Sequence, residues 1–540
     1  MLTTDPFAAR AELSGEHVAL VDTATGVERT YAELHDRAAR LAEHLRIEAG
    51  VAPGDRVAVL AHNGPEMIEL LVACARIGAL LVPLNWRLAA PELETIVADS
   101  RPRLLIADDA NVETAVEVSR RSGVPLSLVI RRAAGDPAAA PGDGVNPARA
   151  AGADPGGSAA ADAGGPAASP ATYEDAIAAA DPLRDPRWPG EGDAWYLLFT
   201  SGTTGRPKGV IQTPRMALAN YVNIGVPIDL TSADATCNVL PMFHTGGLNL
   251  YTMPTLLVGA TALVTRAFEP GHVLDVLEQR ATVMFGVPAV YQMLADHPRV
   301  ADADLARVRS WACGGAPLPV PLIERYGARG ITIRQGFGMT ETGPTVFLID
   351  EANALAKAGS VGKPQLLAEV RIVDRDRRDV PDGEAGELLV RGPGVTPGYW
   401  ERPDATDEAF APGGWLHSGD VARCDADGYY TIVDRWKDMY ISGGENVFPG
   451  EVELVLHAHP QVAEAAVVGV PDERWGEVGK AVLVPAGGDV DVDDVLAHCR
   501  AHLASYKVPK HVETIAELPR NAAGKVAKQE LSGAPAGEQA

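Results

Sequence analysis

The chain has 540 residues, of which 46% are hydrophobic and 22% charged, enough for a large core and more than one domain. It carries 47 Lys and Arg against 72 Asp and Glu, a formal net charge of −25, with no basic tract. Nucleic acid is thereby excluded as a principal partner, because phosphate-backbone binding needs clustered cations.

Residues 1 to about 132 alternate helical and strand patterns. Thr30 followed by Glu33 spells a capping box, and Leu34, Ala38, Leu41, Ala42 and Leu45 then keep helical spacing. After the turn Pro53-Gly54-Asp55, residues 57–60 read as a strand, 65–77 as a helix and 80–84 as a second strand. This β-α-β order predicts a parallel sheet covered by helices. The longest apolar stretch, Leu70 to Leu84, is broken by Arg76, Gly78 and Pro83. It reads as a buried helix turning into a strand, not as a membrane span, so membrane contact is peripheral at most. The start, Met1 to Pro6, has neither the cationic run nor the apolar core of a signal peptide. Cys74, Cys237, Cys313, Cys424 and Cys499 form no CxxC pair. A cytoplasmic protein without a zinc site or disulfide framework is expected.

From Ala133 to about Thr172 the chain is almost entirely Ala, Gly, Pro, Asp and Ser, without apolar periodicity. Such a segment buries too little surface to offset its ordering entropy, and a disordered surface insertion is expected. Strand–helix alternation resumes after Trp195 and lasts to about Asp350. Residues 369–373 and 386–391 then alternate as strands, predicting a small β-rich subdomain. Beyond Lys437 come a helix over 449–457, strands over 462–470 and 480–485, and a helix over 490–503. The expected class is α/β. A large N-terminal domain of helix-covered sheets plus the β-rich subdomain takes residues 1–434, and a small mobile α+β domain takes 435–540.

The chemistry concentrates in a few stretches. Thr200 to Gly209 reads TSGTTGRPKG, between the apolar runs 194–199 and 210–212. Glycines admit an anion close to backbone N–H groups, hydroxyls add donors, and Arg206 and Lys208 add charge, which is a phosphate cradle by composition. The spacing is not that of a Walker A loop. Gln335 to Thr342 reads QGFGMTET. There the glycines let backbone lie against a planar ligand, Phe337 offers a stacking face, Thr340 can bond a phosphate, and Glu341 can hold Mg²⁺. An ordinary glycine-rich loop with a solvated acid is the competing reading.

These two stretches resemble the phosphate and adenine loops of the adenylate-forming superfamily, which includes acyl-CoA synthetases, peptide-synthetase adenylation domains and luciferases. The resemblance covers nearly the whole chain outside 133–172. It implies that Thr200, Ser201, Gly202, Thr203, Thr204, Gly205 and Lys208 grip the ATP phosphates, with Thr200 and Glu341 toward Mg²⁺. It implies an adenine side formed by Gly314, Gly315, Ala316, Gly336, Phe337, Gly338 and Thr340, and a ribose grip by Asp420 in WLHSGD with Arg435. Lys437 matches the family's hinge, and Gly443, Gly444 and Trp475 its coenzyme A tunnel, with Arg87 and Lys507 as weaker matches. Lys525, in LPRNAAGKV, matches the mobile catalytic lysine, which together with Thr200 and Glu341 would carry the reaction. His244, Gly246, Gly286, Val287, Gly314 and Gly338 would line the acyl pocket.

The activity implied is that of an AMP-forming acid–CoA ligase using ATP, Mg²⁺ and coenzyme A. Gly246, Gly247, Gly286, Gly314, Gly315 and Gly338 suggest open volume, favouring medium- or long-chain fatty acids or aryl acids over acetate. A carrier-protein-loading adenylation enzyme remains the alternative, although an amine-binding Asp is missing around Leu240 to His244. A luciferase and a non-catalytic nucleotide-binding relative are the other rivals. A homodimer is compatible with this reading.

Overall fold

The computed structural model describes residues 4–131, 170–200, 207–435, 438–442, 445–472, 474–520 and 526–532. The chain divides into two compact units. The first comprises Met1–Ala356, Pro364–Glu369 and Arg391–Phe410, and the second Lys357–Lys363, Val370–Val390 and Ala411–Ala540. The β-rich strands thus group with the C-terminal residues.

The first unit is built on two helix-covered sheets. One runs in the order Ala171–Thr172, Leu126–Ile130, Leu104–Asp108, Arg56–Leu60, Leu80–Pro83, Tyr196–Thr200, Lys208–Gln212. All neighbours are parallel except the last pair, which is antiparallel. The apolar runs in these strands follow from burial on both faces. The second sheet contains, in order, Phe347–Leu348, Ile333–Phe337, Ser310–Cys313, Val283–Gly286, Ala235–Asn238, Thr261–Val264, Val18–Asp22 and Glu28–Thr30. Its five central strands, from Ile333–Phe337 to Thr261–Val264, are mutually parallel.

Local signals decide where the elements start and stop. The Thr30 side chain accepts from the Glu33 N–H while Glu33 answers the Thr30 N–H, opening the helix Tyr31–Ile47. Leu34, Ala38, Leu41, Ala42 and Leu45 are buried along its inner face. The apolar stretch from Leu70 splits as the sequence suggests, into the helix Pro65–Arg76 and the strand Leu80–Pro83, with Gly78 at φ +71° between them. Ala171–Thr172, assigned to the end of the insertion, instead pairs with Leu128–Val129, and Thr172 caps the helix Tyr173–Ala179. Two residues of ordinary cap-and-strand chemistry outweigh the low-complexity composition before them. Residues 132–169 lie outside the described residues.

The second unit holds two antiparallel assemblies. Ala385–Arg391 pairs with Trp415–Cys424, which pairs with Tyr430–Arg435. Val462–Asp472 and Gly476–Pro485 form a long hairpin, joined by His511–Thr514 in parallel and covered by the helices Pro449–His457 and Val492–His502. Among the described residues, no helix is long and apolar enough to cross a membrane.

Candidate active site

Strand ends assemble the candidate residues of the first unit. In the parallel register Gly286 sits opposite Cys313, and Cys313 opposite Gln335. Gly314 and Gly315 follow one strand, and Gly336 and Phe337 end the next. The motif glycines therefore share one carboxyl edge of the sheet, the place where open α/β sheets receive ligands. Gly315 and Ala316 are exposed, while Gly314 is buried.

The strands that flank residues 201–206, Tyr196–Thr200 and Lys208–Gln212, pair antiparallel. Thr200 pairs with Lys208 in that ladder. Ser201, Gly202, Thr203, Thr204 and Gly205 lie outside the described residues. The Lys208 Nζ stands 4.9 Å from the centre of the Tyr399 ring, a cation–π distance. The Tyr399 hydroxyl donates to Glu341 Oε1 at 3.0 Å. Glu341 is buried, and its carbonyl accepts from the Thr396 N–H at 2.8 Å. Burial, then the Glu341 carboxylate, pushes the Tyr399 phenol well above its ordinary pKa, so it stays a donor.

Tyr399 is absent from the sequence-based site. It lies 58 residues from Glu341, in Pro397-Gly398-Tyr399-Trp400, and no spacing rule links the two. The sequence offers only the turn-forming Pro397-Gly398 before Tyr399, and in the structure Gly398 adopts φ +146°.

A buried polar chain ties the same region to the neighbouring sheet. The Tyr196 hydroxyl donates to Asn249 Oδ1 at 2.7 Å, Asn249 Nδ2 donates to Gln212 Oε1 at 2.9 Å, and Gln212 Nε2 donates to the Thr340 carbonyl at 3.1 Å. Each member is satisfied, so the chain fixes the backbone beside Glu341 instead of destabilising the core. A single oxygen-donor carboxylate beside hydroxyl groups suits Mg²⁺, which keeps most of its waters and takes few protein ligands.

The aromatic segment is held from below. The buried Asn63 donates to the carbonyls of Leu240 and Thr265 and accepts from the Met242 N–H, at 2.8, 3.1 and 2.8 Å. His244 beyond it is exposed, not a packed core histidine. Phe243 meets Trp86 edge-on at 6.5 Å, and the Arg87 guanidinium lies 5.0 Å from the Trp86 ring.

The glycines do not all leave open volume. A Cβ on Gly338 would lie 1.4 Å from the Pro344 carbonyl oxygen, and one on Gly247 2.2 Å from that of Pro241. One on Gly286 would meet Val290 Cγ1 at 2.9 Å. These glycines let main chain pack against main chain or a neighbouring helix. Gly315 needs its glycine for conformation, at φ +82°.

In the second unit, Asp420 is not in a turn. It lies within the strand Trp415–Cys424, opposite Arg435 in the ladder. Arg435 Nε reaches Asp420 Oδ1 at 2.7 Å, and the Ser418 hydroxyl accepts the Asp420 N–H at 3.0 Å. Asp420 is buried, so the arginine offsets a desolvated charge. Next to it, Asp434 accepts from the N–H groups of Arg435 and Gly450, both at 2.6 Å. Burial nevertheless pushes the Asp434 carboxyl up to about 6.

Trp475 is exposed, with Arg474 stacked at 4.9 Å. Lys507 pairs with Glu451, so its charge is engaged locally. Lys437, Gly443, Gly444 and Lys525 lie outside the described residues. The loop containing Lys525 is bracketed by an antiparallel bridge between Arg520 and Val526.

Two family descriptions match the chain: AMP-binding enzyme over residues 7–400 and AMP-binding enzyme C-terminal domain over 451–525. A feruloyl-CoA synthase of an Amycolatopsis species is 44% identical over 508 residues, 94% of each chain. An indoleacetate–CoA ligase of Aromatoleum aromaticum is 38% identical over 93% of this chain and 92% of its own. Among solved structures, ATP-bound MatB from Rhodopseudomonas palustris superposes with a TM-score of 0.83 at 29% identity, covering 98% of both chains. The o-succinylbenzoate CoA synthetase of Bacillus subtilis, in complex with its acyl-adenylate, gives 0.82 at 29% identity and 99% of both.

Proposed function

The chain belongs to the AMP-binding enzyme family, and from that premise we propose that it is an AMP-forming acid–CoA ligase acting on an aryl or medium- to long-chain fatty acid. The acid's carboxylate attacks the α-phosphorus of ATP, and pyrophosphate leaves. The coenzyme A sulfur then attacks the acyl carbon of the adenylate, and AMP leaves.

In-line phosphoryl chemistry needs positioning and charge neutralisation, not a protein nucleophile. Residues 200–208 hold the β- and γ-phosphates. Glu341 and Thr200 hold Mg²⁺, which supplies positive charge to the phosphate oxygens. Gly314, Gly315, Ala316, Gly336, Phe337, Gly338 and Thr340 bind the adenine and α-phosphate side. Asp420 accepts the ribose hydroxyls and Arg435 holds that carboxylate in place. Lys525 neutralises charge on the reacting carboxylate and phosphate in the first half-reaction. A turn about Lys437, with domains divided at 434/435, then presents Gly443, Gly444 and Trp475 to coenzyme A. His244, Gly246, Gly286 and Val287 border the acyl chain.

One observation carries this reading. A buried carboxylate, Glu341, is hydrogen-bonded to Tyr399 beside the cation Lys208, on a sheet edge where glycine loops converge. The names of the two relatives add aryl acids in particular. The same reading expects a cytoplasmic enzyme and accommodates a homodimer, which sedimentation would measure. The test is acid-dependent pyrophosphate release followed by thioester formation with coenzyme A. Pyrophosphate release without thioester would favour carrier-protein loading, and no ATP turnover with any acid would favour a nucleotide-binding protein.

A further inference from the structure

Six tyrosines of the first unit are buried: Tyr31, Tyr173, Tyr196, Tyr251, Tyr291 and Tyr326. Five donate to an identified acceptor. Tyr31 bonds the Ala260 carbonyl, Tyr173 the Glu69 carboxylate, Tyr196 the Asn249 amide, Tyr291 the Ala312 carbonyl and Tyr326 the Tyr291 carbonyl. Tyr251 is the exception. It is 3% exposed, yet its hydroxyl has no hydrogen-bond partner among the described residues. A buried polar group without a partner calls for a specific explanation, because phenylalanine would fill the same space without desolvating a hydroxyl.

The position of Tyr251 supplies one. Its ring packs against Phe285 with centroids 5.5 Å apart, within an apolar cluster containing Ile224, Leu250 and Ala312. Phe285 is only half-buried, and its Cζ lies 3.2 Å from where a Gly314 Cβ would be. The Phe285 ring thus touches both the Gly314 position at the sheet edge and the Tyr251 ring. Ala312 lies two residues before Gly314, about 7 Å deeper along the strand. That is the reach of one aromatic ring on a short linker. Burial pushes the Tyr251 phenol up from its ordinary pKa, and the cations Arg334 and Arg309 act against that shift. Arg309 is paired with Asp234, while Arg334 donates to the carbonyls of Ile349 and Pro227. A cationic group on the ligand is thereby disfavoured, and an oxygen carrying partial negative charge is favoured.

We propose that Tyr251 is a specificity-determining residue whose hydroxyl donates to an acceptor oxygen on the far end of an aromatic acid, reached when the half-buried Phe285 ring turns aside. This rests on the ligase reading above and narrows its substrate class to aryl acids bearing a distal hydroxyl or ether oxygen. Alkanoic acids would leave the Tyr251 hydroxyl unmatched.

The test compares matched acids in pyrophosphate release, using 4-hydroxycinnamate and 4-methoxycinnamate against cinnamate, with a series of alkanoates alongside. The full-length wild-type enzyme is expected to favour the oxygenated acids in kcat/KM by about tenfold or more, the discrimination a built hydrogen-bonding site gives. Tyr251→Phe is expected to collapse that ratio toward one. Its melting temperature should not fall, since the fold loses no hydrogen bond. A wild-type ratio near one, an unchanged ratio in Tyr251→Phe, or activity on alkanoates alone would overturn the Tyr251 assignment while leaving the ligase reading intact. A drop of several degrees in the melting temperature of the variant would reveal a partner within the fold and overturn it equally. Failure of every acid would remove the ligase reading itself.

Discussion

The Tyr399 hydroxyl holds the buried Glu341 carboxylate at 3.0 Å, while its ring faces the Lys208 ammonium at 4.9 Å. One side chain thus links the strand that begins at Lys208 to the acid proposed to hold Mg²⁺. Glu341 is also fixed through its carbonyl by the Thr396 N–H, so the acid is oriented from its backbone and its side chain together.

Tyr399→Phe separates these contributions. The ring and its cation–π contact remain, and only the hydrogen bond to a charged acceptor is lost. The expected result is a rise of about tenfold in the Mg²⁺ concentration that half-saturates pyrophosphate release, since about 1.4 kcal/mol is one decade. An unchanged Mg²⁺ titration would remove Tyr399 from the site.

Asp420→Asn tests the ribose assignment. The wild-type enzyme should discriminate strongly against 2′-deoxy-ATP or 3′-deoxy-ATP, because a site built to accept a hydroxyl rejects the analogue lacking it. The variant should lose kcat/KM for ATP by about tenfold to a hundredfold and lose most of that discrimination. Equal discrimination in both proteins would mean that Asp420 serves only its ion pair with Arg435.

Asp434 provides a pH prediction. Its folded pKa of about 6 lies above the ordinary value of 3.8. Between these values the folded state binds more protons than the unfolded one, so stability falls as pH rises from about 4 to 6 and is level above that. The span is of order 2 kcal/mol for this half-buried group. Asp434→Asn should flatten that part of the profile in denaturant titrations. An identical slope in the two proteins would contradict the assignment.

Gly338→Ala places a Cβ against the Pro344 carbonyl, main-chain oxygen that cannot move cheaply. A loss of about 3 kcal/mol is expected from overpacking. Gly192→Ala, where nothing lies within 4 Å, is the control and should change stability by less than about 0.5 kcal/mol. Similar melting temperatures for both variants would refute the close-packing role.

Much of this architecture was legible in local chemistry. The Thr30–Glu33 capping box, the breaks at Gly78 and Pro83 and the fully apolar strands each act over a few residues, and the elements formed accordingly. The glycines of the site were less readable. A glycine letter does not distinguish open volume from a backbone contact, and only three-dimensional packing reveals that Gly338 and Gly247 are pressed against carbonyls. Tyr399 and the chain Tyr196–Asn249–Gln212–Thr340 escaped notice because they join residues remote in sequence through the fold. Asp420 and Arg435 were both found as candidates, but their ion pair across the ladder depends on strand register.

The most direct test of the two-step account is to measure both half-reactions in Lys525→Ala: acid-dependent pyrophosphate release from ATP, and thioester formation from supplied acyl-adenylate and coenzyme A. The account predicts that the first falls by about a hundredfold or more, as expected when a charge-stabilising group is removed, while the second stays within a fewfold of wild type. Equal loss of both half-reactions, or an undiminished first step, would contradict it.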